Sequence, residues 1–371
     1  MKTTHYIWES THWPSFVWDD SILMRLLGES RLRQGMFLTK ISSLGMPYEQ
    51  QAHTNILFEE AMTTSAIEGE KLDPVSVRSS IARKLGLPSA GLPVDRHTDG
   101  LIDVLLDATQ NHGATLTKKR LLGWNAALFP TGYSGLHKIR VGKWRGPEPM
   151  QVVSGRIGKE IVHYEAMPSD RVDEEMKHFI QWWHKRVGNM DGIIRAAVAH
   201  FWFVTIHPFE DGNGRIARTL TDMALAQDDR QSQRYYSLSS QINAERKSYF
   251  KILEQTQKGD IDITPWLLWF VECFSRGIET SEKLMSLVLD KAAFWYRHAQ
   301  TGLSDRQQKV INKLLDAGKE GFEGGLTNRK YASLTHVSRA TATRELQYLL
   351  NIGILKRNPG SGRSISYNLA W

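Results

Sequence analysis

A chain of 371 residues exceeds what one compact core usually organises and suits about two or three domains. Its hydrophobic content of 41% and charged content of 23% exclude a disordered polypeptide. The single cysteine, Cys273, excludes an internal disulfide framework and fits a reducing cytoplasm. No apolar run reaches the roughly 18 residues needed to span a bilayer, and the polar, aromatic start from Met1 to Trp18 lacks the order of a signal peptide. A cytoplasmic protein with no membrane partner is expected. The net charge of +7 is modest, but after Leu303 eleven Lys and Arg face five Asp and Glu. That basic excess suits nucleic acid or simply a solvated surface.

Taken in chain order, most of the sequence has the periodicity of helices. Ser21 to Leu44 carries apolar residues at helical spacing behind Asp19 or Asp20 as a cap. His53 to Ile67 is a second helical stretch, stopped by Gly69. Between Arg145 and Tyr164, Pro and Gly punctuate short β-prone runs, and two of them flank Ser154 to Lys159 as a hairpin. Val172, Met176, Phe179 and Trp183 recur at intervals of three and four, an apolar stripe facing a core. Ile193 to Ile206 is apolar nearly all round, as a centrally buried helix would be. Pro208 ends it, and Asn213 to Ala226 resumes the helical pattern. A linker is expected near Gln300 to Ser304.

The run His207-Pro-Phe-Glu-Asp-Gly-Asn-Gly-Arg-Ile-Ala-Arg218 lies between a buried helix and the start of the next. A helix start exposes unpaired N–H groups and the positive end of a dipole, so it favours anions. Gly212, Asn213 and Gly214 tolerate unusual dihedrals and let backbone N–H groups converge on phosphate oxygens. Arg215 and Arg218, three apart, add charge on the same side. Asp211 offers a hard oxygen for a divalent cation, and His207 titrates near neutrality, suiting it to take a proton from a hydroxyl. Singly, each has a plainer reading as a turn, a surface arginine or a packed histidine. Together in one short loop they point to nucleotide-phosphate chemistry.

This run resembles the Fic-domain motif, His-x-Phe-x-Asp/Glu-Gly-Asn-Gly-Arg-x-x-Arg, at every defined position. The resemblance implies transfer of AMP from ATP, with Mg²⁺, to a Ser, Thr or Tyr hydroxyl of a target protein. It implies His207 as general base, Phe209 as packing anchor and Asp211 as the Mg²⁺ ligand. The Gly212–Gly214 backbone with Asn213 would be the phosphate cradle, Arg215 the holder of the α/β-phosphates and Arg218 that of the γ-phosphate. The intact Gly-Asn-Gly departs from the Doc-like kinase branch. The expected hairpin lies where Fic proteins carry a target-binding flap, making Val162, His163 and Tyr164 candidates for target or nucleotide contact. Arg246 to Phe250 and Gln257 to Asp260 resemble the family's adenosine-side helix, with Tyr249 and Gln257 lining a nucleoside pocket or, for Tyr249, packing in the core.

Upstream, Thr64-Ser-Ala-Ile-Glu68-Gly69 resembles the family's inhibitory motif, Ser/Thr-x-x-x-Glu-Gly/Asn. Its spacing puts Thr64 and Glu68 one turn apart on a helical face, from which Glu68 would pair bidentately with Arg218 and exclude a γ-phosphate. The same acid offers a second use, activating water to remove AMP. At the end of the chain, Ser304 to Ala317, Asn328 to Thr335 and Val337 to Leu350 are expected as helices, followed by two strands about a Gly-rich tip. This resembles a winged helix, with Arg339, Thr341, Thr343 and Arg344 on the exposed face of its recognition helix and Lys356, Arg357 and Arg363 in the wing. DNA binding and protein docking both stay open.

The expected fold is mainly α, a Fic helical core with a β-hairpin flap plus a C-terminal winged-helix domain. Residues 1–100 would be an N-terminal helical extension with its inhibitory helix around 54–69 and a homodimer surface, its Trp8, Trp13 and Trp18 most simply core. Residues 101–300 would be the catalytic core and 303–371 the winged helix. Alternatives are AMP removal, transfer of another nucleotide such as UMP from UTP, and a nucleotide-responsive DNA-binding regulator.

Overall fold

A computed structural model of the protein describes residues 5–87, 95–156, 159–319, 321–359 and 365–371. Helix α1 (Asp20–Ser42) opens where the Asp19 carboxylate accepts the Ser21 N–H at 2.9 Å. Helix α2 (Met46–Ile67) begins earlier than its periodicity suggests and ends just before Gly69, whose φ of +84° only glycine adopts at little cost. Helices α3 (Pro74–Lys84), α4 (Arg96–Gln110) and α5 (Lys118–Leu128) each start behind a side-chain acceptor, from Asp73, Asp95 and Thr117 respectively. Two short strands, β1 (Tyr133–Ser134) and β2 (His137–Lys138), pair antiparallel. The expected hairpin follows as β3 (Gln151–Arg156) and β4 (Lys159–Glu165), with a bulge between Val152 and Val153. Residues 157–158, at its expected tip, lie outside the described residues.

Helix α6 (Val172–Arg186) buries the expected Val172, Met176, Phe179 and Trp183. Every residue of α7 (Gly192–Ile206) is buried, the arrangement that an all-round apolar helix requires. Its N-terminus is closed by the Asp191 carboxylate, which accepts the Ile193 N–H at 2.8 Å. Helix α8 (Asn213–Asp229) packs along α7, and α4 and α6 pack against this pair. Helices α9 (Leu238–Ala244), α10 (Arg246–Gln257) and α11 (Thr264–Arg297) follow. The chain then continues through α12 (Asp305–Asp316), α13 (Asn328–Thr335), α14 (Arg339–Asn351) and the antiparallel strands β5 (Leu355–Arg357) and β6 (Tyr367–Leu369). Among the described residues no helix is long and apolar enough to cross a membrane.

Two compact units result, one of residues up to Thr39 with His53–Glu282, the other of Lys40–Ala52 with Lys283–Trp371. The first centres on α7. Phe179 from α6 meets Trp202 and Phe203 edge-on, with ring centroids at 5.5 and 5.9 Å, a favoured aromatic geometry. Trp8, Trp13 and Trp18 correct the expectation that they are core, for all three are only half-buried. Their indole N–H groups instead donate to Glu165 O, Glu175 Oε2 and Asp20 Oδ1 at 3.0, 2.9 and 2.7 Å. An indole donor withdrawn from water needs such a partner, which places these rings at the rim of the unit.

In the second unit, Ser304 caps α12 in a reciprocal box with Gln307, and Ser338 caps α14 by accepting the Thr341 N–H. Val310, Leu314, Tyr331, Leu346, Leu349 and Leu369 bring α12, α13, α14 and β6 onto one core. Arg363, expected in the wing, lies outside the described residues.

The stability of the first unit should respond sharply at Phe179. It is fully buried, so Phe179→Ala leaves a cavity costing about 3–5 kcal/mol. Guanidinium unfolding followed by tryptophan fluorescence measures this, and a loss below about 1 kcal/mol would contradict the packing assigned to the ring.

Candidate active site

The loop from His207 to Arg218 joins α7 to α8, the two most closely packed helices. Where α7 ends, His207 takes the left-handed conformation (φ 53°, ψ 58°) and its N–H still bonds Phe203 O. A non-glycine residue held there is strained unless its surroundings fix it. Arg145 does so: its Nε donates to His207 O at 2.9 Å, its Nη2 to Met167 O, and its backbone N–H to Pro208 O at 2.8 Å. Phe209 is fully buried, its ring 5.1 Å from that of Trp144. Glu210 reaches back to the Arg140 and Gly146 N–H groups.

Asn213, expected with the Gly212–Gly214 backbone to form a phosphate cradle, turns its side chain inward instead. It is buried, and its amide makes two bonds to Phe209, Oδ1 accepting the N–H at 2.9 Å and Nδ2 donating to O at 2.8 Å. Asn213 therefore shapes the loop from within, and its backbone N–H, not its amide side chain, is left to face an anion. Gly212 reaches φ +86° as the residue before α8, and the Asp211 carboxylate receives its N–H and the Ser134 hydroxyl.

At His207 the ring Nδ1 lies 3.2 Å from Val204 O. A carbonyl only accepts, so Nδ1 carries the proton and Nε2 holds the lone pair. Loss of hydration around the ring pushes its pKa down to about 4, with the neighbouring Arg145 charge acting in the same sense. The imidazole is thus uncharged at pH 7 and titrates well below the near-neutral range expected of it.

Both arginines of the loop are buried and occupied. Arg218 donates from Nε to Thr64 Oγ1 at 2.7 Å and from Nη2 to Thr64 O at 2.9 Å and Glu68 Oε1 at 2.7 Å. The expected bidentate pair with Glu68 is not formed: Glu68 takes one nitrogen, Nη2, and Thr64 takes Nε. Gly214, in the first turn of α8, has no room for a Cβ: one would overlap the Glu68 carboxylate. Glu68 thus sits at the N-terminus of α8, where an anion is most favoured. Arg215 donates from Nη1 to Glu70 Oε2 at 2.8 Å while its guanidinium stacks on the Phe129 ring. His97 Nε2 lies 3.2 Å from the same Glu70 oxygen. Burial raises the Glu70 pKa, but the His97 hydrogen bond and the Arg215 charge outweigh it and bring it below the ordinary value.

Of three candidate contact residues, Tyr249 takes the core position that was open to it, and Tyr164 and Gln257 are corrected. Tyr164 is buried, its hydroxyl donating to Thr205 O at 2.6 Å, so it anchors the hairpin and does not face a target. Tyr249 is buried, with its hydroxyl 2.8 Å from His200 Nε2 and its ring among Trp266 and Trp269. Gln257 is buried and donates to Thr205 Oγ1 at 3.3 Å. In this conformation both side chains are buried in the core. His163 pairs through Nδ1 with Glu254 at 2.7 Å, whereas Val162 remains exposed. Sequence reasoning missed Arg145, Ser134, Glu70 and His97. Only Glu70 carries a local signal, an acid one place beyond Gly69; the others arrive from distant elements.

Comparison with known proteins agrees with this loop. The Fic/DOC family model matches residues 115–225, and a domain of unknown function, DUF4172, matches residues 6–87. The chain is 25% identical over 250 residues to a protein named protein adenylyltransferase Fic from Nematostella vectensis, covering 67% of this chain and 53% of that one. It is 36% identical over 78 residues to protein adenylyltransferase fic-1 of Caenorhabditis elegans, covering 20% of this chain and 15% of that one. The chain thus spans about half or less of these relatives' lengths. A Fic family protein from Desulfovibrio desulfuricans shares the fold with a TM-score of 0.56 at 18% identity, over 94% of this chain and 95% of that one. With its motif loop at 207–218 inside the matched region, this chain carries a Fic domain of the Fic/DOC family.

Proposed function

We propose that this chain transfers AMP from ATP to a Ser, Thr or Tyr hydroxyl of a protein, and that Glu68 restrains it. The observation that carries the reading is His207, held neutral with its Nε2 lone pair available beside the amide-bearing start of α8. The hydroxyl oxygen would form a bond to the α-phosphorus while the bond to the β-phosphate oxygen breaks. His207 Nε2 would take the hydroxyl proton, and pyrophosphate would leave. Backbone N–H groups of Asn213 and Gly214 with Arg215 would stabilise the transferring group, usually the largest catalytic contribution, and Arg218 would receive the γ-phosphate.

Mg²⁺ suits this donor set, since it commonly takes one or two carboxylates and completes its shell with phosphate and water oxygens. Asp211, with a partly exposed carboxylate in the loop, would hold it. When bound, the ion would neutralise phosphate charge. Strands β3 and β4, with Val153, Ile161 and Val162 exposed, support the reading of a flap that pairs with a target strand.

Incubating the wild type, His207→Ala and Glu68→Gly with α-labelled and, separately, γ-labelled ATP tests the reaction on the chain itself and on proteins of a cell extract. Protein-bound label is expected from the α position only, falling at least about 10²-fold in His207→Ala and rising roughly tenfold or more in Glu68→Gly. Label from the γ position would mean a kinase. No label from either would favour another donor, AMP removal or a binding protein, and an unchanged Glu68→Gly would sink the restraint.

The His207 ring gives a separate check in the nucleotide-free protein. With its pKa at about 4, it should remain neutral as pH falls through 6 and gain a proton only near pH 4. NMR titration of its Cε1 proton measures this, and a midpoint near 6.5 would refute the withdrawn imidazole.

The reading of residues 303–371 as a winged helix is supported by the order α12, α13, α14, β5, β6, and by exposed Arg339, Arg344, Lys356 and Arg357. The Thr341 and Thr343 hydroxyls support base contact less, since they are engaged with Ser338 and Asn328. If α14 enters a major groove, duplex binding measured by fluorescence anisotropy should weaken about tenfold in Arg339→Ala/Arg344→Ala and show a steep salt dependence. Absence of duplex binding at low salt would leave protein docking as the use of this fold.

A further inference from the structure

The end of α2 carries two acids, and each holds a different arginine of α8. The helix closes in a left-handed cap: Gly69 N–H bonds Ala66 O at 3.0 Å, and Glu70 N–H bonds Ser65 O at 3.0 Å. This pair of bonds is the Schellman arrangement, which requires the positive φ that Gly69 supplies. Arg246 fixes the same end by donating from Nε to Ile67 O at 2.8 Å. Glu68 and Glu70, on either side of Gly69, are therefore set rigidly, and their carboxylates meet Arg218 and Arg215 at 2.7 and 2.8 Å.

Helix stability does not explain the placement. Carboxylates at a helix C-terminus face the negative end of its dipole and are disfavoured there. Their compensation comes from α8, whose two guanidiniums are 1% and 3% exposed and need an anion each. Arg215 is held in a slot on the Phe129 ring, its Nε without a partner among the described residues, so Glu70 is its one charged hydrogen-bond acceptor there.

Glu70 also has somewhere to go. It follows the helix in a stretch, Glu70 to Asp73, that is neither helix nor strand. It lines a cavity of about 580 Å³ together with Lys71, Arg96, His97 and Ser134. A carboxylate swung off Arg215 would remain hydrated there, in a lining that sets Lys71, Arg96 and His97 beside Asp73 and Asp95.

We propose that Glu70 is a second restraint, holding Arg215 in the anion-binding loop as Glu68 holds Arg218, so that a polyphosphate must displace both acids to engage both arginines. This rests on the AMP-transfer reading only for its consequence, because the competition itself is one of anion binding. The His97 contact keeps Glu70 on its side of the loop, making His97 a positioning residue for the restraint.

Calorimetric titration of inorganic pyrophosphate, and of ATP with Mg²⁺, into the full chain and into Glu70→Gln, Glu68→Gly and the double variant tests this. Glu70→Gln should bind pyrophosphate roughly tenfold more tightly than the wild type, and its gain should multiply with that of Glu68→Gly. In an Arg215→Ala background the Glu70→Gln gain should vanish. Without ligand, Glu70→Gln should melt lower, since Arg215 has lost its charged partner, and pyrophosphate should raise its Tm by more than it raises that of the wild type. A purely structural Glu70 would lower Tm equally with and without ligand. Equal or weaker pyrophosphate binding by folded Glu70→Gln overturns the proposal. If that variant does not fold, Glu70→Asp, which keeps the charge but shortens the reach, must show the tightening instead. A failure to transfer label from α-labelled ATP in every variant would remove the AMP-transfer reading and leave this one standing.

Discussion

Two guanidiniums buried on one helix must be neutralised, and that requirement organises the site. Arg215 and Arg218 stand in the first turns of α8, beside a helix start that already favours negative charge. Leaving either unpaired would cost several kcal/mol. The protein meets the need from its own chain, with Glu68 and Glu70 at the end of α2. An anion from solution that engaged either arginine would do so by exchange, carboxylate for phosphate.

Such an exchange needs a rigid receiver. The loop is held from inside by Asn213, which ties both backbone groups of Phe209, and from outside by Arg145, which holds His207 O and Pro208. His207 keeps a left-handed backbone that would relax without these bonds. Its neutral ring and the amides of α8 are then fixed relative to one another, which is the condition for electrostatic preorganisation. The glycine at 214 belongs to the same design: a side chain there would displace the Glu68 carboxylate from its place beside Arg218.

The buried aromatic and polar residues around α7 serve that rigidity. Tyr164, Tyr249 and Gln257 all send polar ends into α7, to Thr205 and His200. Each satisfies a buried group and locks the hairpin or α10 onto the central helix. Packing α10 and the hairpin against the helix that ends at His207 helps fix the position of that residue.

Much of this was legible in the sequence, because the information was local. The apolar stripe of α6, the all-round apolar α7 and the cap at Asp19 follow from periodicity and from a side chain that bonds its own backbone a few residues on. The loop is local too, twelve consecutive residues whose glycines, arginines and histidine have few joint uses, and the Thr64–Glu68 spacing is one helical turn. Other features depended on tertiary structure. That Arg145 would pin His207 from 62 residues away, or that Glu70 would take Arg215 from 145 residues away, depends on how helices dock, which no spacing encodes. Whether Tyr249 faces a ligand or the core is likewise undecided by a sequence in which either side of α10 could turn inward. Only the packing of α10 against α7 and α11 selected the face, and with it turned an expected pocket residue into part of the frame.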